Sequence, residues 1–166
     1  LFVEFAVGDR VVYPHHGAAV IEQRERLVVS GSPRDYFVLR IEHNNLTLKV
    51  PTDNVEQVGL RAVIDLEEVA EVMALLAKPG GREPANWSRR FKNNIEKLKS
   101  GDVYQVAELV RNLTRRKADK HLSVGEQRLL VDSRQVLLSE LRLATDVTQE
   151  QADTMLDGIF SRPPTP

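Results

Sequence analysis

"LTLKVPTDNVEQVGLRAVIDLEEVAEVMALLA", residues 46–77, contains the change of period on which the fold turns. At its start Leu46, Leu48 and Val50 alternate with Thr47 and Lys49, the two-residue repeat of a strand with one buried and one wet face. Further on, Asp65 and Glu68 have capping-box spacing, and Val69, Val72, Met73 and Leu76 then recur at helical intervals. A sheet therefore gives way to helices near Leu60.

Toward the N-terminus lie short runs rich in β-branched and aromatic residues: "RVVYP", "GAAVIEQ" and "DYFVLRI". Gly17, "SGSPRD" and Asn44-Asn45 fall between them as breakers, and about five strands fit, enough for a small antiparallel barrel. Toward the C-terminus, Asp102 with Gln105, Ser123 with Glu126 and Thr148 with Gln151 repeat the capping-box spacing, and Pro84 marks one further helix start. Apolar stripes follow at Val106, Leu109, Val110 and Leu113, and at Leu129, Leu130, Leu137 and Leu141. "KPGGREP", residues 78–84, reads as a linker, and the terminal "SRPPTP" as a frayed end. The expected fold is α+β: a small antiparallel β-barrel over residues 1–60, then an all-α domain of about five helices over residues 61–166.

Composition narrows the chemistry. With no cysteine among 166 residues, disulfides, thiolate nucleophiles and the common structural zinc sites are excluded. No apolar run approaches the roughly 20 residues of a membrane span, and an acid stands where a signal peptide carries its basic end. A cytoplasmic protein without membrane contact is expected. Net charge is only −1, but it is unevenly spread: residues 78–134 hold 14 Lys+Arg against 7 Asp+Glu, whereas residues 140–157 hold 1 against 5. A basic middle of this size is either a solvated face or the footprint of a polyanion.

"EPANWSRRFK", residues 83–92, sets the only Trp beside two arginines and a lysine at a helix start. Trp87 shares a helical face with Phe91, Asn94 and Leu98, so one reading makes it the first core anchor of its helix. The other makes it an exposed ring among cations, where charge tracks a nucleic-acid backbone and the indole replaces a lost stacking neighbour. Catalysis has no comparable support. His15-His16 point to opposite faces of a strand and offer no metal set, "PGG" lacks the spacing and Lys of a phosphate loop, and no Ser lies in a His/acid pattern. No enzyme, no metal and no cofactor are expected; a general nucleic-acid-binding module is one reading that these residues leave open.

In the order "VGDRVVYPHHGAAVIE", "LTLKVP", "VGLR", "NWSRRFKNNIEKLKSGDVYQVAELVRNL" and "LSVGEQRLL", from about Val7 to Leu143, the chain resembles the CarD/CdnL family of bacterial RNA polymerase-binding transcription regulators. The resemblance implies a Tudor-like N-terminal domain that binds the RNA polymerase β subunit. It also implies a helical domain that contacts promoter DNA at the upstream edge of the bubble, in a protein acting as a monomer to stabilise the open complex. The family's Trp wedge carries over to Trp87 and its phosphate contact to Lys92. Arg89 and Arg90 occupy its basic pair. Gln127, with Arg128 beside it, stands where members often have Lys. On the polymerase side the resemblance points to Lys49, and to Arg26 next to a position where some members carry Arg.

Overall fold

The computed structural model describes residues 4–166. Five antiparallel strands, β1 (Arg10–Tyr13), β2 (Gly17–Val29), β3 (Ser32–Ile41), β4 (Thr47–Pro51) and β5 (Arg61–Ala62), form one sheet in the order β4-β3-β2-β1-β5. Five helices follow: α1 (Leu66–Ala77), α2 (Trp87–Lys99), α3 (Val103–Asp119), α4 (Val124–Thr145) and α5 (Gln149–Phe160). The sheet followed by helices is the architecture that the change of period predicts. Arg61–Ala62, which a division at residue 60 leaves with the helices, pairs with β1 and completes the sheet.

Two details of the sheet differ from the linear reading. "SGSPRD" is not a loop: Ser30 and Gly31, both at positive φ, make the whole turn, and β3 resumes at Ser32. Two residues with φ > 0 match the twist of the strands they join. Pro33 is tolerated because β4 pairs only with Tyr36–Arg40, so β3 has no outer neighbour at the proline. The second detail is an irregularity between Ile21 and Gln23 in β2. The extra residue allows Arg24, opposite Phe37, to share the face of Ile21 and Leu39, and its guanidinium lies 5.8 Å from the centre of the Phe37 ring.

That face of the sheet closes over a core of Val11, Ile21, Phe37, Leu39, Ile41 and Val50. Val12 and Ala18 are buried on the other side, toward the helices. The helical core centres on α3, which packs against α1, α2 and α4. The sequence-predicted stripes are its substance: Val72, Leu76, Leu109, Val110, Leu113, Leu137 and Leu141 are essentially without solvent contact. Capping boxes form at Asp65/Glu68, Ser123/Glu126 and Thr148/Gln151. The fourth does not, because the Asp102 N–H is already taken by Ser100 Oγ at 3.1 Å, leaving Gln105 nothing to reach back for; Asp102 caps Tyr104 N alone. Nor is the chain end frayed: Thr165 N donates to Ala77 O at 2.8 Å, holding the tail against the end of α1.

The sheet and helices are joined along α4. Gly17 has φ +93°, and a Cβ there would lie 2.9 Å from Ser139 Oγ and 3.4 Å from Val136 Cα, so only glycine lets β2 come this close. Ala18 N donates to Ser139 Oγ at 3.0 Å. Beside it, Arg61 grips Glu140 in a two-pronged pair of 2.6 and 2.7 Å, while Glu140 also accepts from Ile64 N at 3.1 Å. The Glu140 carboxylate is nearly dry, at 4% side-chain exposure, and this ring of donors satisfies its oxygens. Arg61→Ala would strand that charge. Urea denaturation should show a loss of roughly 3 kcal/mol, the usual cost of leaving one half of a buried pair.

Candidate nucleic-acid interface

Asn86 starts α2 by accepting from Arg89 N at 3.0 Å, which makes Trp87 the first residue of the helix. Along its face burial falls steadily toward that end: Leu98 and Asn94 are buried, Phe91 is half-buried, and Trp87 is 44% exposed. The two sequence readings meet here. The indole is attached to the bundle but not sealed in it.

Three contacts fix the ring. Phe91, one turn on, stacks against it at 4.9 Å between centroids and 8° between planes. Gly125 borders both rings: a Cβ there would sit 3.3 Å from the phenyl ring and 4.0 Å from the indole Cζ2. The indole N–H donates to Ser123 Oγ at 3.2 Å and to Glu126 Oε1 at 3.3 Å. The start of α2 is therefore bonded to the start of α4, and the polar atom of the indole is spent inside the protein. What remains outward is apolar ring.

Glu126 is the centre of this joint. Only 2% exposed, it closes the capping box of α4, accepts from Trp87, and pairs through Oε2 with Arg90 Nε at 3.3 Å. Arg116 Nε lies farther off, at 3.9 Å. Burial pushes its carboxyl pKa up, but the hydrogen bonds from Ser123 and the Arg90 guanidinium outweigh burial and hold it below the ordinary value.

This arrangement corrects the expected site at one residue. Arg90 is 5% exposed; besides Glu126 it donates to the carbonyls of Pro84 and Ala85, both at 3.3 Å. Its charge is consumed in fastening the linker and α4 to α2, so it is not available to phosphate. Arg89, Lys92 and Arg128 are exposed, as is Gln127, whose amide donates to Leu122 O at 3.1 Å. Other cations of the basic middle also serve the fold. Arg111 donates to the carbonyl of Leu75, and Arg115 to those of Leu76, Ala77 and Lys78, satisfying the open end of α1.

On the sheet, Lys49 lies on β4, an edge strand, with Nζ 3.1 Å from Glu25. Arg26 lies on β2 and binds Asp35 at 2.8 Å. The register places Lys49 with Val38, Tyr36 and Glu25 on one face, and Arg26 with Asp35 on the other. The two polymerase-side candidates are thus not brought together. The sequence does not mark Ser123, Gly125 and Glu126 as residues that position the indole, and gives Phe91 only a shared helical face with it. Ser123 and Glu126 were legible as a capping box, but their reach to another helix was not.

Comparison with known proteins covers both parts of the chain. Residues 5–64 match the CarD-like/TRCF RID domain model, and residues 71–157 match that of the CarD C-terminal domain. The chain is 32% identical over 147 residues to the candidate transcription factor YdeB of Bacillus subtilis (strain 168), covering 89% of this chain and 96% of that protein. Among solved structures it is similar to the 72-residue N-terminal domain of Myxococcus xanthus CarD, with 31% identity, 37% of this chain and 83% of that one covered, and a TM-score of 0.32.

The Glu126 joint gives a pH signature. Because the folded pKa lies below the unfolded one, its contribution is complete above the ordinary value of 4.5 and is lost as pH falls through the folded value. Glu126→Gln should cost roughly 3 kcal/mol at pH 7, with the gap to the unaltered protein closing below pH ~4.5. Denaturation midpoints measured across that range would read it.

Proposed function

This chain belongs to the CarD/CdnL family of transcription regulators, and from that membership we propose that it holds promoters open. In this reading the N-terminal sheet binds the RNA polymerase β subunit, and the helical domain sets Trp87 against DNA at the upstream edge of the bubble. One observation carries the reading: an indole 44% exposed, yet anchored on its stacked face and at its N–H, with exposed Arg89, Lys92 and Arg128 on the same two helices.

The physics is that of a small bias on a near-balanced equilibrium. About 1.4 kcal/mol of preference for melted over closed DNA changes their ratio tenfold. Stacking of one base on an aromatic ring is worth roughly 1–3 kcal/mol, so a single indole suffices where base stacking is already broken. Preorganisation adds to this, since Phe91, Ser123 and Glu126 have already removed the rotamer freedom that binding would otherwise cost. With its N–H turned inward, the ring meets DNA through its apolar surface and not through a base-specific hydrogen bond. Action at many sequences follows, with the largest effect at promoters whose bubbles collapse most readily.

So few phosphate contacts bind DNA weakly and in a salt-sensitive manner. Attachment to polymerase supplies the effective concentration. β4 suits that attachment, because its outer side has no strand partner among the described residues and an extended segment can add to it by backbone hydrogen bonds. Lys49 stands on this strand and adds charge complementarity.

Two measurements test the reading. In real-time promoter-opening assays with RNA polymerase holoenzyme, Trp87→Ala should leave polymerase binding intact and speed bubble collapse roughly tenfold relative to the unaltered protein. Lys49→Glu should weaken recruitment to core polymerase by about tenfold in a pull-down, with only a small fall in thermal midpoint from the lost pair with Glu25. Unchanged collapse with Trp87→Ala would remove the wedge, and recruitment indifferent to Lys49→Glu would remove this residue from the polymerase contact.

A further inference from the structure

Arg116 is the cation that the fold leaves unfinished. It stands in the last turn of α3 with its side chain 25% exposed, and its Nε is shut away from solvent without a hydrogen-bond partner among the described residues. Glu126 Oε2, its ion-pair partner, is 3.9 Å away, beyond hydrogen-bond reach, and is taken by Arg90 Nε at 3.3 Å. Oε1 of the same carboxylate accepts from Trp87 Nε1, Ser123 N and Ser123 Oγ. One carboxylate therefore faces two guanidiniums and is satisfied without the second. A surplus positive charge remains at the joint, with a buried donor that the fold does not use.

Topology sets this charge beside the indole. Ser100–Asp102 alone separates α2 from α3, and two cross-links fix the direction of the pair: Lys97 Nζ lies 3.3 Å from Glu108 near the turn, and Arg90 and Arg116 share Glu126 farther from it. The helices are thus antiparallel, and the register of these links brings Trp87, the first residue of α2, level with the last turn of α3. Lys117 and Lys120 are exposed there, and Asp119 is the one acid among them. Cations in a last turn also complement the helix dipole, which is reason enough for the two lysines in water. It gives no reason for closing Arg116 Nε away from solvent without a partner.

Resting on the reading of the helical domain as the part that meets DNA, we propose that Arg116, with Lys120 one turn beyond it, holds a DNA phosphate beside the wedge, so that α3 joins α2 and α4 in the contact. The partner that Arg116 lacks in the folded protein is the anion that DNA brings, and a guanidinium meets phosphate oxygens by short, charge-assisted hydrogen bonds. Lys120, whose N–H donates to Arg116 O at 2.7 Å, adds a second charge on the same side of the helix. Glu126 serves both halves of the site: Oε1 holds the indole N–H, and Oε2 faces the guanidinium across 3.9 Å. The ring meets a base and the arginine meets the backbone. Such a contact carries no sequence preference, in keeping with a ring whose N–H is turned inward.

The test titrates the full chain into a fluorescently labelled DNA fork, a duplex with unpaired ends, over a range of salt concentrations. Arg116→Gln, Arg116→Lys, Lys120→Gln and Trp87→Ala are measured beside the unaltered protein, with Arg34→Gln on the sheet as a charge-matched control. Losing one phosphate contact lowers the slope of log affinity against log salt by about 0.9, roughly eightfold in affinity at ~0.1 M salt. Arg116→Gln and Lys120→Gln should each show this loss, whereas Arg116→Lys and Arg34→Gln should keep the slope. Trp87→Ala should weaken binding at an unchanged slope, since an apolar contact releases no counterion. Arg116→Gln decides if its thermal midpoint shows a folded protein; otherwise Lys120→Gln decides, because that side chain lies in solvent. A slope that the deciding variant leaves unchanged, or that Arg34→Gln lowers equally, overturns the proposal while a Trp87→Ala loss keeps the wedge. If the α3 variants lower the slope and Trp87→Ala leaves affinity unaltered, the wedge fails and the phosphate site stands.

Discussion

Two buried carboxylates on one helix organise the molecule. Glu126, in the first turn of α4, ties the start of α2 and the indole of Trp87 to that helix; Glu140, further along, ties the sheet to it through Arg61. Their separation of fourteen residue steps spans about 21 Å of helix. Each carboxylate is almost dry and surrounded by donors, the condition under which a buried charge is tolerated and its partners are held in one geometry. The aromatic surface at one end and the sheet at the other are therefore referred to the same rigid rod.

The same joint sorts the cations of a protein with little net charge. The basic middle is divided between two tasks. Arg90, Arg111 and Arg115 are spent inside, on Glu126 and on the open carbonyls of α1, while Arg89, Lys92 and Arg128 face solvent. A cation whose donors are already engaged adds to the charge count but not to phosphate affinity. In the proposed reading, the modest attraction left over suits a factor placed by attachment to polymerase and acting on DNA through apolar contact.

Much was legible in the linear chain. Alternation at Leu46, Leu48 and Val50 and helical spacing from Val69 onward separate sheet from helices because side-chain direction repeats every two residues in one and every 3.6 in the other. Three of four capping boxes formed as their spacing required. The failures were competitions between near neighbours. Ser100 took the bond that Gln105 would have made, and a two-residue turn at Ser30-Gly31 displaced the longer loop that "SGSPRD" resembles.

By itself the sequence determined the order of sheet and helices, the apolar stripes that meet in the core, and the singular Trp among cations; all of these depend on residues within a few positions of one another. Only the tertiary structure decided which cations remain exposed, since Arg89 and Arg90 are neighbours in the chain and the second is buried against Glu126 of another helix and the carbonyls of Pro84 and Ala85. It decided likewise that Trp87 would be both anchored and exposed. That outcome depends on Ser123, Gly125 and Glu126 arriving from across the bundle, and hydrogen bonding and burial between distant segments leave no period in the sequence to be read.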